Sequence, residues 1–508
     1  MSLVSYFPES LEPRPLQVKA LASLEQALSG TKQNIVLRAP TGSGKSAIAA
    51  TVARFFKSHN GTYVLCSRKY LQEQYLRDFS KLMVNFWGKS NYKCPVINAS
   101  CSGCPADKSK STADFSMFLR NNCTDSKLGD RCPYIVAKGK ALAAPVALLN
   151  FEAFVANNIY GKEWPKRDVI IVDEAHNFTD RLAEQLAVPI PEAVRHTKDA
   201  QLMPSMLMYY DQAIERRKSL GQSYSKESLY LSLLEEYPKR DCWAREADYT
   251  LKLYKVSNSV KKYVNRMANK VIWMSASMTN GQCLEMGLTS KNSIIIDMPS
   301  EFRPSDHPIV CRGSVRIPKP RHILNAKEAV SQMRKVNSYI LPIVERHSRG
   351  LIHTNSYALS KLLRDGSPEL AAKKGVAFHT DSSDTDKLVK EFTEKKISWL
   401  VTPTLSEGFD GAGDLVQAQI LLKTPWPSLA SNKMKRLIEG TPFGRKLYTA
   451  RAMSLFIQSY GRGARFKGDQ CVTYLLDADF SRLLSGSWSD IPMWFRRVLE
   501  HNGFWEEG

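Results

Sequence analysis

Short runs of apolar, β-branched residues alternate with helical patterns along most of the chain. One run lies within residues 34–38 and precedes a glycine-rich turn and an alanine-rich segment, and another, at 169–172, ends in two carboxylates. From about residue 325 onward, helical and apolar-strand segments alternate again. Fully apolar strands separated by helices are typical of parallel sheets whose two faces are both buried. The pattern therefore predicts an α/β fold with two parallel-sheet domains.

Residues 177–268 interrupt this alternation. They are rich in Leu, Glu, Lys and Arg and contain few β-branched runs, so we expect several helices. The stretch is too long to be a simple connection between two elements of one domain. A proline-rich stretch that begins at Pro299 and continues to Pro320 predicts the crossing into the second domain.

Length and charge limit the classes of function. The chain has 508 residues, enough for about three or four domains. It contains 71 Lys and Arg against 50 Asp and Glu, a formal net charge of +21. This excess favours a polyanionic partner such as nucleic acid, and the alternative is a basic surface that serves only solubility. We find no signal peptide, lipidation signal or uninterrupted apolar span, and expect a soluble intracellular protein without membrane contact.

Cysteine is concentrated in one part of the chain. Five of the ten cysteines lie within residues 94–132: Cys94, Cys101, Cys104, Cys123 and Cys132. In a chain of this size that lacks a secretory signal, clustered cysteines favour a metal site over a disulfide framework. Residues 89–140 also carry nine Lys and Arg with aromatic residues between them, a composition that fits a path for single-stranded nucleic acid.

The first apolar run leads into a phosphate-binding pattern. The residues are Ala39, Pro40, Thr41, Gly42, Ser43, Gly44, Lys45 and Ser46. Two glycines let the backbone curl so that its N–H groups face a phosphate, and the helix that follows adds its positive N-terminal end. We expect Lys45 to reach the β- and γ-phosphates of ATP and the Ser46 hydroxyl to bind Mg²⁺.

The second apolar run supplies the carboxylates that hydrolysis requires. The run at 169–172 ends in Asp173-Glu174-Ala175-His176. Polar residues at the carboxyl end of a buried parallel strand lie where such sheets bind ligands. We expect Asp173 to hold Mg²⁺ through water and Glu174 to polarise the water that attacks the γ-phosphate.

Together, these two motifs resemble those of a superfamily 2 helicase of the DEAH kind. Arg14 and Gln17, within Arg-Pro-Leu-Gln, resemble the adenine-reading Q-motif. Residues 64–74 resemble motif Ia, and Ser275-Ala276-Ser277 resembles the Ser-Ala-Thr coupling motif with Ser277 in the threonine place. The resemblance implies two RecA-like lobes with ATP and Mg²⁺ bound between them.

The C-terminal half carries the complementary motifs. Residues 351–357 resemble motif IV, and the segment with Glu407 and Asp410 resembles motif V. Gln458, Arg462 and Arg465 stand in the pattern Gln-x-x-Gly-Arg-x-x-Arg of motif VI. Planar, always-charged guanidinium groups suit the charge that develops on a transferred phosphoryl group. Arg462 and Arg465 are therefore the expected arginine fingers.

The cysteine segment lies between motif Ia and the DEAH box, where helicases of the XPD and DinG family insert an iron–sulfur domain. Cys94-Pro95 resembles the first ligand position and Cys132-Pro133 the last. The resemblance implies a 4Fe–4S cluster held by four of the five cysteines. We favour Cys101 as the spare, and tetrahedral zinc is the alternative metal.

The resemblance divides the chain into six segments. Lobe 1 comprises residues 1–88, 141–176 and 269–300, the cysteine-rich domain 89–140, the helical Arch-like insertion 177–268, and lobe 2 residues 301–508. It implies a monomeric helicase that moves 5′ to 3′ on single-stranded DNA, opens forked duplexes and acts in the cytoplasm, or in the nucleus of a eukaryote. An ATP-driven translocase without strand separation and a non-motor nucleic-acid-binding protein are the alternatives.

Overall fold

A computed structural model describes most of the chain. The described residues are 2–94, 100, 132–160, 164–220, 225–315, 317, 326–403, 415–463 and 468–504. Six of the predicted site residues lie outside these ranges, namely Cys101, Cys104, Cys123, Glu407, Asp410 and Arg465. Within these ranges, no helix is both long and apolar enough to cross a bilayer.

Strands and helices alternate through both halves of the described chain. In chain order the strands are β1 (Asn34–Arg38), β2 (Thr62–Cys66), β3 (Val84–Phe86), β4 (Val146–Asn150), β5 (Arg167–Asp173), β6 (Val188–Pro189), β7 (Trp243–Arg245), β8 (Thr250–Leu253), β9 (Ala268–Ser275), β10 (Ser293–Asp297), β11 (Ile309–Val315), β12 (Gly350–His353), β13 (Val376–Phe378), β14 (Trp399–Thr402), β15 (Ala418–Leu421) and β16 (Val472–Asp477). The helices are α1 (Pro15–Ser29), α2 (Lys45–Phe55), α3 (Lys69–Phe79), α4 (Pro133–Ala143), α5 (Phe151–Tyr160), α6 (Phe178–Gln185), α7 (Asp199–Ser219), α8 (Ser225–Glu236), α9 (Ser257–Tyr263), α10 (Asn280–Glu285), α11 (Ala326–Arg346), α12 (Tyr357–Gly366), α13 (Pro368–Ala372), α14 (Thr385–Thr393), α15 (Asn432–Glu439), α16 (Gly444–Tyr460), α17 (Asp479–Ser485) and α18 (Met493–His501).

Lobe 1 is built on a seven-stranded parallel sheet in the order β10-β1-β9-β5-β2-β4-β3. Alternate residues of each strand enter different cores. Ile170 and Val172 of β5 pack in one core, whereas Val169 and Ile171 pack in the other. Because both faces of the sheet are covered, its strands must be apolar throughout, as the sequence pattern predicted.

Lobe 2 repeats this architecture. Its six strands are all parallel, in the order β11-β16-β15-β12-β14-β13. The chain leaves lobe 1 after β10 and enters the second sheet at β11, and the proline-rich crossing begins between the two strands. The α/β class with two RecA-like parallel-sheet lobes is thus confirmed.

The segment between the DEAH box and β9 is not purely helical. Helices α6 to α9 are joined by a small antiparallel sheet in the order β6-β8-β7. Its strands are two to four residues long. Strands this short give a sequence pattern too brief to recognise, which is why only helices were expected here.

Arg167 links the base of the cysteine-rich segment to the lobe 1 sheet. It is 3% exposed and donates hydrogen bonds to the carbonyl oxygens of Thr62 at 2.7 Å and Ala144 at 2.6 Å. It also donates to the carbonyl of Ala141 in α4, at 3.1 Å. A cation at the carboxyl end of a helix satisfies carbonyls that the helix leaves unpaired. Residue Arg167 therefore orients α4, the helix that begins directly after Cys132.

The topology of lobe 1 brings three sequence motifs together. Strands β1, β9 and β5 are neighbours, and they end at the P-loop, the Ser-Ala-Ser motif and the DEAH box respectively. Since all three strands run in the same direction, their carboxyl ends meet at one edge of the sheet. Helix α16 of lobe 2, which carries Gln458 near its C-terminal end, lies across this edge.

Candidate active site

The P-loop has the backbone conformation that a phosphate cradle requires. Gly42 and Gly44 adopt φ values of 74° and 76°, which favour glycine, and α2 begins at Lys45. A Cβ on Gly44 would collide with the side chain of Gln17. The loop is therefore closed from behind by a side chain, while the start of α2 faces the cavity.

Arg14 and Gln17 brace this loop. The Gln17 amide donates to the carbonyl of Ser43 at 3.1 Å, and Arg14 donates to that of Gly42 at 3.0 Å. Gln17 is 3% exposed and lies behind the loop, whereas Arg14 lines the cavity and pairs with Glu301 at 2.6 Å. Of the two residues predicted to read adenine, the structure thus brings only Arg14 to the cavity wall.

The two predicted ligands of phosphate and Mg²⁺ lie at the mouth of the loop. Lys45 and Ser46 both line the cavity, and Lys45 Nζ donates to the carbonyls of Ala39 and Pro40 at 3.3 Å each. The Ser43 hydroxyl donates to Pro40 at 2.7 Å and so holds the turn from inside. The Lys45 ammonium group and the Ser46 hydroxyl thus face the same cavity.

The two DEAH carboxylates have opposite electrostatic environments. Burial and the adjacent Glu174 raise the pKa of Asp173 to about 6, against the effect of Lys45. Burial also acts to raise the pKa of Glu174, but a hydrogen bond from His176 and the charges of Lys45 and Arg462 lower it to about 2. Both groups are therefore ionised at neutral pH. Because Glu174 stays ionised, it can accept a hydrogen bond from a water molecule and so orient it.

Tyr75 holds Asp173 in place and was not found from the sequence. Its hydroxyl donates to Asp173 Oδ2 at 3.0 Å, and the ring is 1% exposed. The backbone N–H of Glu174 donates to the other carboxylate oxygen at 2.9 Å. Tyr75 belongs to α3, remote in sequence from the DEAH box, and tyrosine in a helix carries no local signal for this role.

His176 connects the DEAH box to the Ser-Ala-Ser motif. Its Nδ1 lies 3.0 Å from the hydroxyl of Ser275 and 3.3 Å from Glu174 Oε2. The Ser275 hydroxyl also accepts a hydrogen bond from the backbone N–H of Ser277 at 3.1 Å. A chain of polar contacts thus runs from the hydrolytic carboxylate to Ser277.

Lobe 2 completes the site from the opposite wall. Gln458 Nε2 donates to the Ser277 hydroxyl at 3.0 Å, and Ser454 contacts the same hydroxyl at 3.0 Å. Gln458 and Arg462 line the same cavity as the P-loop and the DEAH box. A Cβ on Gly461 would lie 2.8 Å from Thr41 Oγ1, so the two lobes approach closely at this glycine. The cavity between the two walls has a volume of about 730 Å³.

The structure describes two of the five clustered cysteines. Cys94 is buried and Cys132 partly buried, and both are free thiols. The rings of Tyr92 and Tyr134 pack edge to face with centroids 5.6 Å apart, which brings the two ends of the segment together. Within the described ranges no group of three metal-ligating side chains occurs. Cys94 and Cys132 each lie two residues from one of these rings, and their thiols are donors of the kind that iron–sulfur and zinc sites use. The middle cysteines lie outside the described residues.

Removal of the Tyr75 hydroxyl tests the geometry around Asp173. We expect Tyr75→Phe to lower the turnover number for ATP. We also expect the Mg²⁺ concentration required for half-maximal rate to rise about tenfold, because groups that orient a metal-binding carboxylate have effects of this size. Steady-state ATPase assays across a Mg²⁺ series measure both. Wild-type Mg²⁺ dependence in the variant would contradict this role.

Comparisons with known protein families identify both lobes. Residues 10–202 match the model described as "Type III restriction enzyme, res subunit", and residues 340–498 match "Helicase C-terminal domain". A search of curated proteins finds no match. The two matched segments contain the P-loop and DEAH box in one case and motifs IV and VI in the other.

Solved structures of XPD proteins share the fold over nearly the whole chain. A structure titled "XPD_Helicase" is 15% identical, with a TM-score of 0.62, and the match covers 98% of this chain and 99% of that one. "Structure of S. tokodaii Xpd4" is 13% identical, with a TM-score of 0.55, covering 93% and 97% of the two chains. The two sequence models show that the chain is an ATP-dependent helicase, and the XPD structures share its fold over nearly its whole length.

Proposed function

We propose that the protein is a DNA helicase that moves along single-stranded DNA and separates duplex strands. The observation that carries the proposal is the shared cavity, in which Lys45, Asp173 and Glu174 of lobe 1 face Gln458 and Arg462 of lobe 2. A site split between two domains changes when the domains move, so hydrolysis there can drive a mechanical cycle.

In this cycle the residues of the cavity bind the phosphates of ATP, hold Mg²⁺ or orient the attacking water. The P-loop N–H groups and Lys45 bind the phosphates, and Ser46 and Asp173 would hold Mg²⁺, which neutralises the developing charge when bound. Glu174 orients the attacking water, and Arg462 approaches the γ-phosphate from lobe 2. Arg465, Glu407 and Asp410 are proposed to act from lobe 2 by resemblance to motifs VI and V.

Ser275 and Ser277 are proposed to couple hydrolysis to lobe movement. The hydrogen-bond chain from Glu174 through His176 and Ser275 ends at Ser277, which Gln458 contacts from lobe 2. A change at the γ-phosphate can therefore reach α16 through contiguous polar contacts.

Basic and aromatic side chains beside the cysteine-rich segment support a single-stranded DNA ligand. Lys69 lies over the ring of Trp87 at 5.4 Å, and Lys89 lies over that of Tyr134 at 5.5 Å. Pairs of this kind combine a charge for phosphates with a ring for base stacking. The net charge of +21 agrees with a polyanionic ligand. The 5′-to-3′ direction is proposed from the family resemblance.

A forked-duplex assay tests this function. We expect ATP-dependent strand separation of a forked duplex that has a 5′ single-stranded arm. A duplex with only a 3′ single-stranded tail should not be separated, and neither should the fork when a non-hydrolysable ATP analogue replaces ATP. ATPase stimulation by single-stranded DNA without strand separation would instead identify a translocase. An ATPase rate indifferent to DNA would contradict both.

We also propose a 4Fe–4S cluster held by four of Cys94, Cys101, Cys104, Cys123 and Cys132. Such a cluster would brace the segment between β3 and α4 as a rigid wedge for strand separation. The contact of Tyr92 with Tyr134 supports it, because it joins two residues that lie two positions from the first and the last cysteine.

Metal analysis of anaerobically purified protein decides the identity of this site. We expect about four iron atoms per chain and a brown colour. Cys132→Ser should lose the iron, while Cys311→Ser, at an exposed cysteine of lobe 2, should retain it. One zinc per chain without iron would establish the zinc alternative, and a metal-free protein would contradict both.

A further inference from the structure

Four charged residues outside the helicase motifs meet where the two lobes touch. Asp180 lies at the start of the insertion, directly after the DEAH box, and Glu285 belongs to lobe 1. Lys433 and Arg451 belong to lobe 2. Arg451 donates to Asp180 at 2.5 Å and to Glu285 at 2.6 Å, and Lys433 donates to Asp180 at 2.7 Å. We call these residues the charge cluster.

The cluster is largely withdrawn from solvent. The side chains of Arg451 and Lys433 are each 9% exposed, and that of Glu285 is 3% exposed, while Asp180 keeps one half of its surface open. Burial acts to raise the pKa of Asp180, but Arg451 and Lys433 lower it well below its usual range. Charges buried this deeply are tolerated only when they are paired, so separation of the lobes at this point is unfavourable.

The surrounding contacts are close and involve backbone groups. A Cβ on Gly281 of α10 would come within 2.6 Å of the Ala450 side chain of α16, so the two helices touch beside Arg451. Glu246, from the turn between β7 and β8, accepts hydrogen bonds from the backbone N–H groups of Asn432 at 3.1 Å and Lys433 at 2.6 Å. The insertion therefore caps α15 in the same region.

Helix α16 joins this packed region to the ATP cavity. Arg451 and Gln458 lie on it about two turns apart, and so point to similar sides of the helix. Gln458 contacts Ser277, and Arg462, just beyond the helix, lines the cavity. The middle of α16 is thus held by paired charges, and its C-terminal end borders the ATP cavity.

Arg451 also contacts the two segments that follow the DEAH box and the Ser-Ala-Ser motif. Asp180 lies in α6, directly after the DEAH box, and Glu285 ends α10, directly after the Ser-Ala-Ser motif. The guanidinium fork can hold two carboxylates at once, which an ammonium group cannot do with the same geometry.

We infer that Arg451 is a positioning residue for ATP hydrolysis. Through the charge cluster it forms the pivot about which the lobes rotate, and it sets the register of α16 so that Gln458 and Arg462 meet the nucleotide. The inference deepens the proposed function and rests on it for the ATPase cycle. The pivot is formed by contacts that are present without nucleotide, so it can be tested independently of ATP hydrolysis.

Arg451→Lys tests the pivot because it retains the buried charge and removes the fork. We expect the turnover number for ATP to fall by roughly 10- to 100-fold, with little change in KM, as for a misplaced catalytic group. In the nucleotide-free protein, hydrogen exchange at the amides of α10 and α16 should be faster than in wild type. Arg445→Lys is the matched control, since Arg445 lies on the same helix and its side chain is exposed.

A double variant separates positioning from folding. Arg451→Gln leaves Glu285 unpaired, whereas Arg451→Gln with Glu285→Gln restores a neutral hydrogen-bonded pair and should recover turnover over the single variant. If Arg451→Gln and the double variant do not fold, the measurements on Arg451→Lys alone decide the question. Wild-type turnover and exchange in Arg451→Lys, or a double variant no faster than Arg451→Gln, would overturn the inference. A wild-type protein without ATPase activity would defeat the proposed function alone, since the exchange measurement still reports on the pivot.

Discussion

The contact between α16 and the edge of the lobe 1 sheet is the constraint on which the site depends. Three parallel strands deliver the P-loop, the DEAH box and the Ser-Ala-Ser motif to that edge, but none of them supplies a cation from the side opposite Lys45. Helix α16 does so, because Gly461 permits the approach to Thr41 and Arg462 follows it directly. A shift of this helix alters the whole cavity, since its wall is shared by both lobes.

The same contact contributes to the electrostatics of the DEAH box, because Arg462 is one of the charges that lower the pKa of Glu174. Asp173 is buried and hydrogen-bonded by Tyr75, whereas Glu174 receives a hydrogen bond from His176 and the field of Lys45 and Arg462. Two adjacent carboxylates thereby acquire different pKa values without any difference in residue chemistry beyond one methylene. One is suited to a metal, and the other to a water molecule.

Much of the fold and the core of the site could be predicted because their signals are local. The P-loop and the DEAH box are short contiguous motifs, and buried parallel strands leave unbroken apolar runs. The roles of Tyr75 and Arg451 could not be predicted, because each depends on a partner distant in the sequence. Gln17 shows the same limit: its motif was recognised, but only the structure shows that it lies behind the loop it was expected to serve from the front.

The variant Arg462→Ala tests most directly whether the two lobes form one hydrolytic site. We expect it to bind ATP within a few-fold of wild type while its turnover number falls by about 10³ or more, as when an arginine finger is removed. Arg445→Ala, at an exposed arginine near the start of α16, should behave as wild type. Steady-state ATPase rates with single-stranded DNA make the measurement, and an Arg462→Ala variant with wild-type turnover would contradict the account.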